Sequence, residues 1–342
     1  MKNPGRADRR EGWLRLCVVA LIALVLAHVF FRVASDLQWG DAPGHESPLK
    51  SWEVFEARYF DEAGSVHVSR FAGSHMVHAL ARAIESAVGT PADPRAHPLR
   101  IAATLFAIVC TLAGVAPFLF GRPDGAVGRG WSWPAYVSGY VALVVLGLQV
   151  WQPYDLPALA CISLAAWWCL HERWWLALVA LVVGGLFREN MLHVVVFAGT
   201  LALAAPSRAR WRWTATFGVI WLAQWWLVQR VAFDARSGAS LANLTSGWAS
   251  PSLIQTTLLS LAAAGVMYGW IAHREPLAGP RRRLVLLLLA SVPGWLVFYK
   301  FLGGNLSELR MTMPIWIPLL LVAAARPGAL EPLLRSASAE AR

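Results

Sequence analysis

Long apolar runs separated by short polar breaks dominate the chain. The first covers roughly 13–34 and is followed by a polar stretch over 35–98. Further runs lie near 99–120, 132–151, 156–170, 174–187, 191–206, 212–231, 252–272, 284–302 and 311–325. Each reads as a helix, because an uninterrupted apolar segment in lipid must satisfy its backbone internally. The pattern predicts an all-α fold, a polytopic transmembrane helical bundle of about ten spans. Several runs reach only about 20–24 Å at helical rise, so they are half-embedded or line a polar cavity. Within the polar stretch, Ser51–Phe60 and Ser69–Val88 mix apolar and charged positions, as amphipathic helices lying on a membrane surface do. The predicted division is a cytoplasmic N-terminus (1–12), a first span (13–34), an extracytoplasmic loop (35–98), a transmembrane bundle (99–325) and a cytoplasmic tail (326–342), short, polar and poorly ordered.

Basic residues set the orientation. Lys2, Arg6, Arg9, Arg10 and Arg15 precede or open the first run. Alternate loops then carry Arg122 and Arg129, Arg173, Arg208 to Arg212, Arg274 to Arg283, and Arg326 and Arg335. The positive-inside rule places all of these in the cytoplasm and both termini with them. The opposite face receives the turn at Gln152-Pro153-Tyr154-Asp155, the Arg188-Glu189-Asn190 break, the 232–250 loop, and Gly303 through Arg310. No small-residue cleavage site follows the first run, which therefore reads as a retained span in a multi-pass protein of the inner (plasma) membrane.

Composition agrees with this picture. Of 342 residues, 57% are hydrophobic and only 15% charged, too little polar character for the surface of a soluble domain of this length. The 19 tryptophans suit a protein whose indoles sit at headgroup level. A net charge of +10 could suggest nucleic acid, but the basic residues cluster in short loops between apolar runs, a pattern that reports topology, and no nucleic-acid partner is expected. Cys17, Cys110, Cys161 and Cys169 all fall inside apolar runs without metal-ligand spacing, and read as inert core thiols.

The chemistry-bearing residues gather at one face. Asp155 opens a span, Arg188 and Glu189 interrupt a long apolar tract, and Glu308 and Arg310 directly precede the last run. Ionisable groups at membrane depth cost at least about 2.5–3.5 kcal/mol each, so they tend to pair, face a cavity and serve function. Asp155 also has a simpler reading, as the cap of its helix. Adjacent on a helix, Arg188 and Glu189 would point about 100° apart, and each requires a partner elsewhere. The outer loop adds Asp36, Asp41, His45 and Glu46 after the first span, and the scattered His67, His75 and His78 read as surface residues. No spacing resembles a zinc site and no pattern demands a cofactor; a divalent metal stays open. Asn243 and Asn305 match the glycosylation sequon, a weak signal.

In order, the chain shows Ser69-Arg70-Phe71 opening an amphipathic helix, Tyr154-Asp155-Leu-Pro at a span start, Arg188-Glu189 after a short span, and Glu308-Leu-Arg310 before the last. This order resembles a group of bacterial membrane proteins with a "YD-x-P … RE … E-x-R" pattern, which look in turn like the GT-C class of membrane glycosyltransferases. The resemblance implies transfer of a sugar from a polyprenyl-phosphate donor on the extracytoplasmic face, to a glycan, lipid or protein acceptor. GT-C enzymes place an essential acid in the first outer loop, and by position Asp41 or Asp36 would match as the catalytic base. Arg188 and Arg310, with Arg70, would hold phosphate. Asp155, Glu189 and Glu308 would orient sugar hydroxyls or those arginines. Two rival readings stand beside this: a transporter or lipid flippase, whose substrate path also carries intramembrane charge, and a non-catalytic assembly subunit, in which the clustered charges pair internally.

Overall fold

A computed structural model describes residues 4–36, 49, 51–61, 71–89, 97–119, 133–147, 152–228, 258, 262, 265, 266, 269, 280–301, 309–325 and 330. Every regular element among the described residues is helical: α1 (Pro4–Asp36), α2 (Trp52–Glu56), a π-helical turn (Ala57–Asp61), α3 (Phe71–Val88), α4 (Pro98–Leu119), α5 (Trp133–Gly147) and α6 (Asp155–Leu170). α7 (Trp174–Phe187), a 3-10 turn (Glu189–Met191), α8 (Leu192–Ala204), α9 (Arg208–Trp225), α10 (Pro280–Phe301) and α11 (Leu309–Ala324) complete the order. A helix therefore stands at each apolar run except 252–272, most of which lies outside the described residues, as does the 232–250 loop. Among the described residues, two helical stretches, Gly12–Val29 and Pro98–Leu119, are long and apolar enough to cross a membrane. The apolar helices from Pro134 to Val145, Asp155 to Leu170, Trp174 to Phe187, Leu192 to Ala204 and Met313 to Ala324 are shorter.

Local chemistry explains the boundaries. Ser51 caps α2 by accepting from the Val54 amide at 3.3 Å, and Ser207 caps α9 by accepting from Arg210 N at 3.2 Å. Pro98 begins α4, where its missing N–H would have had no partner anyway. The α6–α7 turn is a Schellman arrangement: Glu172 N donates to Cys169 O at 3.1 Å and Arg173 N to Trp168 O at 2.8 Å. That geometry puts Glu172 at φ 58°, a left-handed conformation glycine would adopt more easily. The Glu172 carboxylate is held there by Arg210 at 2.7 Å.

Helix α6 is central, packing on α4, α7, α8 and α11. Phe118 stacks on Tyr136 and meets Trp167 edge-on, so the end of α4, the start of α5 and the end of α6 lie together. Tyr136 and Ser163 share a hydrogen bond of 2.5 Å, and Ser163 is also 2.5 Å from Gly114 O. Arg15 donates to Leu119 O at 3.1 Å, Arg210 to Ala205 O at 2.6 Å, and Arg281 to Val322 O and Ala323 O at 3.2 and 3.0 Å. These contacts sort the helices into antiparallel neighbours with two ends. Arg15, Arg173, Arg210 and Arg281 mark the first end; Asp155 and Arg188 lie at the second. Large apolar side chains face outward on several helices, among them Leu16, Leu21 and Leu24 of α1, Val109 of α4, Trp175 of α7 and Val219 and Leu222 of α9. Leu330, in the tail expected to be poorly ordered, is buried.

Candidate functional site

The second end is built where three helices break. The Gln152–Tyr154 turn leads into α6, and Tyr154, whose side chain makes no capping bond, occupies the cap position. Asp155 is thus the first helical residue, one place inside the position a capping aspartate would take. Its carboxylate still lies at the positive end of the helix dipole. Arg188 ends α7 in an extended conformation, φ −160° and ψ 143°, before the 3-10 turn begins at Glu189. Its cation lies at the negative end of the α7 dipole. The adjacency of Arg188 and Glu189 on one helix does not arise, because the backbone breaks between them.

These two ends meet. Arg188 Nη1 donates to Asp155 Oδ1 in an ion pair whose side chains are 4% and 8% exposed. The guanidinium also lies 5.9 Å from the centroid of the Tyr154 ring, at the outer reach of a cation–π contact. Burying either charge alone would be expensive, and mutual compensation with matched helix dipoles makes the arrangement stable. Around the pair are buried polar groups that attention to charge alone passes over. Tyr59, on the π-helical turn, donates its hydroxyl to Gln152 Oε1 at 2.7 Å, both side chains being buried. His193, the second residue of α8, packs on Trp295 of α10 with ring centroids 3.7 Å apart. Gly73 of α3 lies so close to Pro153 that a Cβ there would collide with the Pro153 carbonyl oxygen. The clue in the sequence was the pair of polar breaks themselves, Gln152–Asp155 and Arg188–Asn190, whose neutral members share the burial of the charged ones.

The other candidates distribute as follows. Asp36 closes α1, whose Arg15 bonds to Leu119 at the first end, so Asp36 lies about 30 Å along the helix toward the second. Glu189 opens the 3-10 turn after Arg188, and Arg310 lies in the first turn of α11. Asp41, Arg70 and Glu308 fall outside the described residues, as do His45, Glu46, His67, Asn243 and Asn305. Arg70 directly precedes α3 and Glu308 directly precedes α11.

A second charged group joins α2 to α3. Glu56 Oε1 takes His78 Nε2 at 2.9 Å and Arg82 Nη2 at 3.1 Å, while Arg82 Nη1 reaches Glu85 Oε2 at 3.1 Å. The Arg82 guanidinium covers the Trp52 ring at 3.7 Å, and the Trp52 indole N–H donates to Glu85 at 3.2 Å. The His78 hydrogen bond, aided by Arg82, holds the Glu56 carboxyl below its ordinary range against a smaller opposing effect of burial. Burial pushes His97 below the ordinary imidazole value, opposed by the Glu85 charge. Among the described residues, no three side chains converge as a metal site. Comparison with protein-family models, curated proteins and solved structures finds no match to this chain.

Proposed function

We propose that this chain is a multi-span inner-membrane protein of about ten spans, with both termini in the cytoplasm, that transfers a sugar from a polyprenyl-phosphate donor on the extracytoplasmic face. The observation that carries the reading is the Asp155–Arg188 pair, buried where α6 begins and α7 ends, at the same end as Asp36 and the start of α11. The outward rows of Leu, Val and Trp support lipid on the helix flanks. A polyprenyl tail would stay in the bilayer while its phosphosugar reached this end.

The reaction needs two kinds of group. An acceptor hydroxyl attacks the anomeric carbon; its proton passes to a carboxylate, assigned to Asp41 or Asp36. The bond from that carbon to the phosphate oxygen breaks, and polyprenyl phosphate leaves with the electron pair. Arginine suits the developing phosphate charge because its planar fork binds two oxygens at once. Arg188, paired with Asp155, is assigned that role, and Arg310 and Arg70 are assigned to phosphate as well. Glu189 and Glu308 orient sugar hydroxyls.

The test is transfer of radiolabelled sugar from a polyprenyl-phosphate donor by the purified protein in nanodiscs. Asp36→Asn/Asp41→Asn together, and Arg188→Ala alone, should each abolish transfer. Undiminished transfer by these variants would end the assignment. One observation favours a second reading, a non-catalytic assembly subunit: Asp155 and Arg188 already neutralise each other. That reading predicts that the uncharged Asp155→Leu/Arg188→Met protein retains full biological function, whereas the enzyme reading predicts loss.

A further inference from the structure

Two buried polar atoms, on elements that meet the segments carrying the ion pair, have no hydrogen-bond partner among the described residues. Asn190, 7% exposed, lies in the 3-10 turn two residues after Arg188, and its Oδ1 accepts no hydrogen bond among the described residues. Ser74 is fully buried on α3, and its Oγ likewise has no hydrogen-bond partner there. Both sit on elements that abut the charged pair. The 3-10 turn packs on α6, α7 and α8. Ser74 follows Gly73, whose close approach to Pro153 and Tyr154 sets α3 against the residues leading into Asp155. Buried carbonyl oxygens and hydroxyls are nearly always bonded, since each forfeits its bonds to water on burial. Two such exceptions flanking one buried ion pair are best explained by a ligand that completes them.

We infer that Asn190 and Ser74 are specificity-determining residues that read the hydroxyls of a sugar whose phosphate engages Arg188. This rests on the proposed donor site and names its second half. A carboxamide offers an acceptor and two donors, and a serine hydroxyl offers both, which matches neighbouring hydroxyls on a pyranose ring. A phosphate alone would use the arginine and leave both atoms as they are. Apolar replacement should then separate recognition from stability. Without ligand, Asn190→Leu and Ser74→Ala should be about as stable as wild type, because each removes a buried oxygen with no hydrogen-bond partner among the described residues.

The experiment measures binding of two probes to protein in nanodiscs: undecaprenyl phosphate, and the same lipid carrying a hexose. Wild type should bind both, the hexose form more tightly. Asn190→Leu and Ser74→Ala should keep their affinity for the bare phosphate and lose roughly tenfold for the hexose form, as expected when a hydrogen-bonding site meets a changed complement. Asn190→Asp, which keeps the acceptor oxygen, should lose less. Equal wild-type affinity for the two lipids, or variants that weaken both alike, would overturn the hydroxyl-reading role and leave the phosphate site standing. Failure of wild type to bind either lipid would overturn the donor site and this inference together.

Discussion

Separating Asp155 from Arg188 should be among the most damaging changes the chain can undergo. Each side chain is less than a tenth exposed, so truncating one takes from the other, a still buried charge, its ion-pair partner. That loss is about 3–5 kcal/mol for either Asp155→Ala or Arg188→Ala. Removing both charges at once, with Asp155→Leu/Arg188→Met, replaces the pair by apolar volume and should approach wild-type stability. The double variant should therefore be more stable than either single one, with a coupling energy of about 3 kcal/mol or more. The molecule carries its own reporters. Cys110 and Cys169 are buried and Cys161 is half-buried, so a thiol-reactive fluorophore added during a thermal ramp will register unfolding. Cys17 is exposed and should be replaced by serine to remove the background. If the single variants fell within about 0.5 kcal/mol of wild type, as substitutions at an open surface do, the pair would not be sealed. If the two single losses simply added in the double variant, the residues would not compensate one another. Either result would refute the reasoning.

Gly73→Ala should lower stability by about 1–3 kcal/mol, and Gly73→Val by more, because the new side chain drives α3 off the Pro153 carbonyl; the same thermal ramp measures it. The α2–α3 unit should loosen on acidification. Burial depresses the His97 pKa, so stability is full above its ordinary 6.5 and falls as pH drops through that value toward the lower folded one. Glu56, also depressed, contributes above its ordinary 4.5, and that contribution is lost as pH falls further, through its folded value. Protection over Trp52–Glu56, corrected for the intrinsic exchange rate at each pH, should fall between about pH 7 and pH 5 in wild type but not in His97→Gln, and unchanged wild-type protection would count against the assignment. Single cysteines at positions 36 and 308 in a background without native cysteines should react with an impermeant maleimide added outside intact cells, and cysteines at 122 and 208 only after permeabilisation; the reverse pattern would invert the orientation.

The helices were legible because an apolar run has one way to satisfy its backbone away from water. Even the short breaks at 151–156 and 187–191 proved to be true interruptions, a turn at Gln152–Tyr154 and an extended Arg188. The amphipathic spacing of Ser51–Phe60 and Ser69–Val88 likewise coincides with α2, its π-helical extension and α3. What the chain could not reveal was pairing. Asp155 and Arg188 are 33 residues apart, and nothing in either segment names the other as its partner. The capping expectation for Asp155 missed by one residue, because Tyr154 already begins to turn, with ψ −11°. Tyr59, Asn190 and Ser74 were invisible for a different reason. A neutral polar residue beside an apolar run looks the same whether it ends in water or in a sealed interior, and only the fold distinguishes the two.

The same electrostatic rule accounts for both ends of the molecule. At the first end, α4, α8 and α11 present their terminal carbonyls, the negative pole of each helix, and Arg15, Arg210 and Arg281 each donate to one of those termini. Three of the cations on which the expected orientation rests are therefore also caps that close helices. At the second end the poles are mixed, since α6 begins there and α7 ends there. An acid belongs on the first and a base on the second, and this is how Asp155 and Arg188 are disposed. Two helix ends of opposite polarity brought side by side attract opposite charges to one place and bury them together. A concentrated pair of charges at the second end thus follows from the antiparallel packing of α6 and α7, whereas the arginines of the first end are spread over three separate helix termini. At the second end the cation is held by a carboxylate at the start of the neighbouring helix, while Arg15 and Arg281 are bound to backbone carbonyls and Arg210 to both the Ala205 carbonyl and the Glu172 carboxylate.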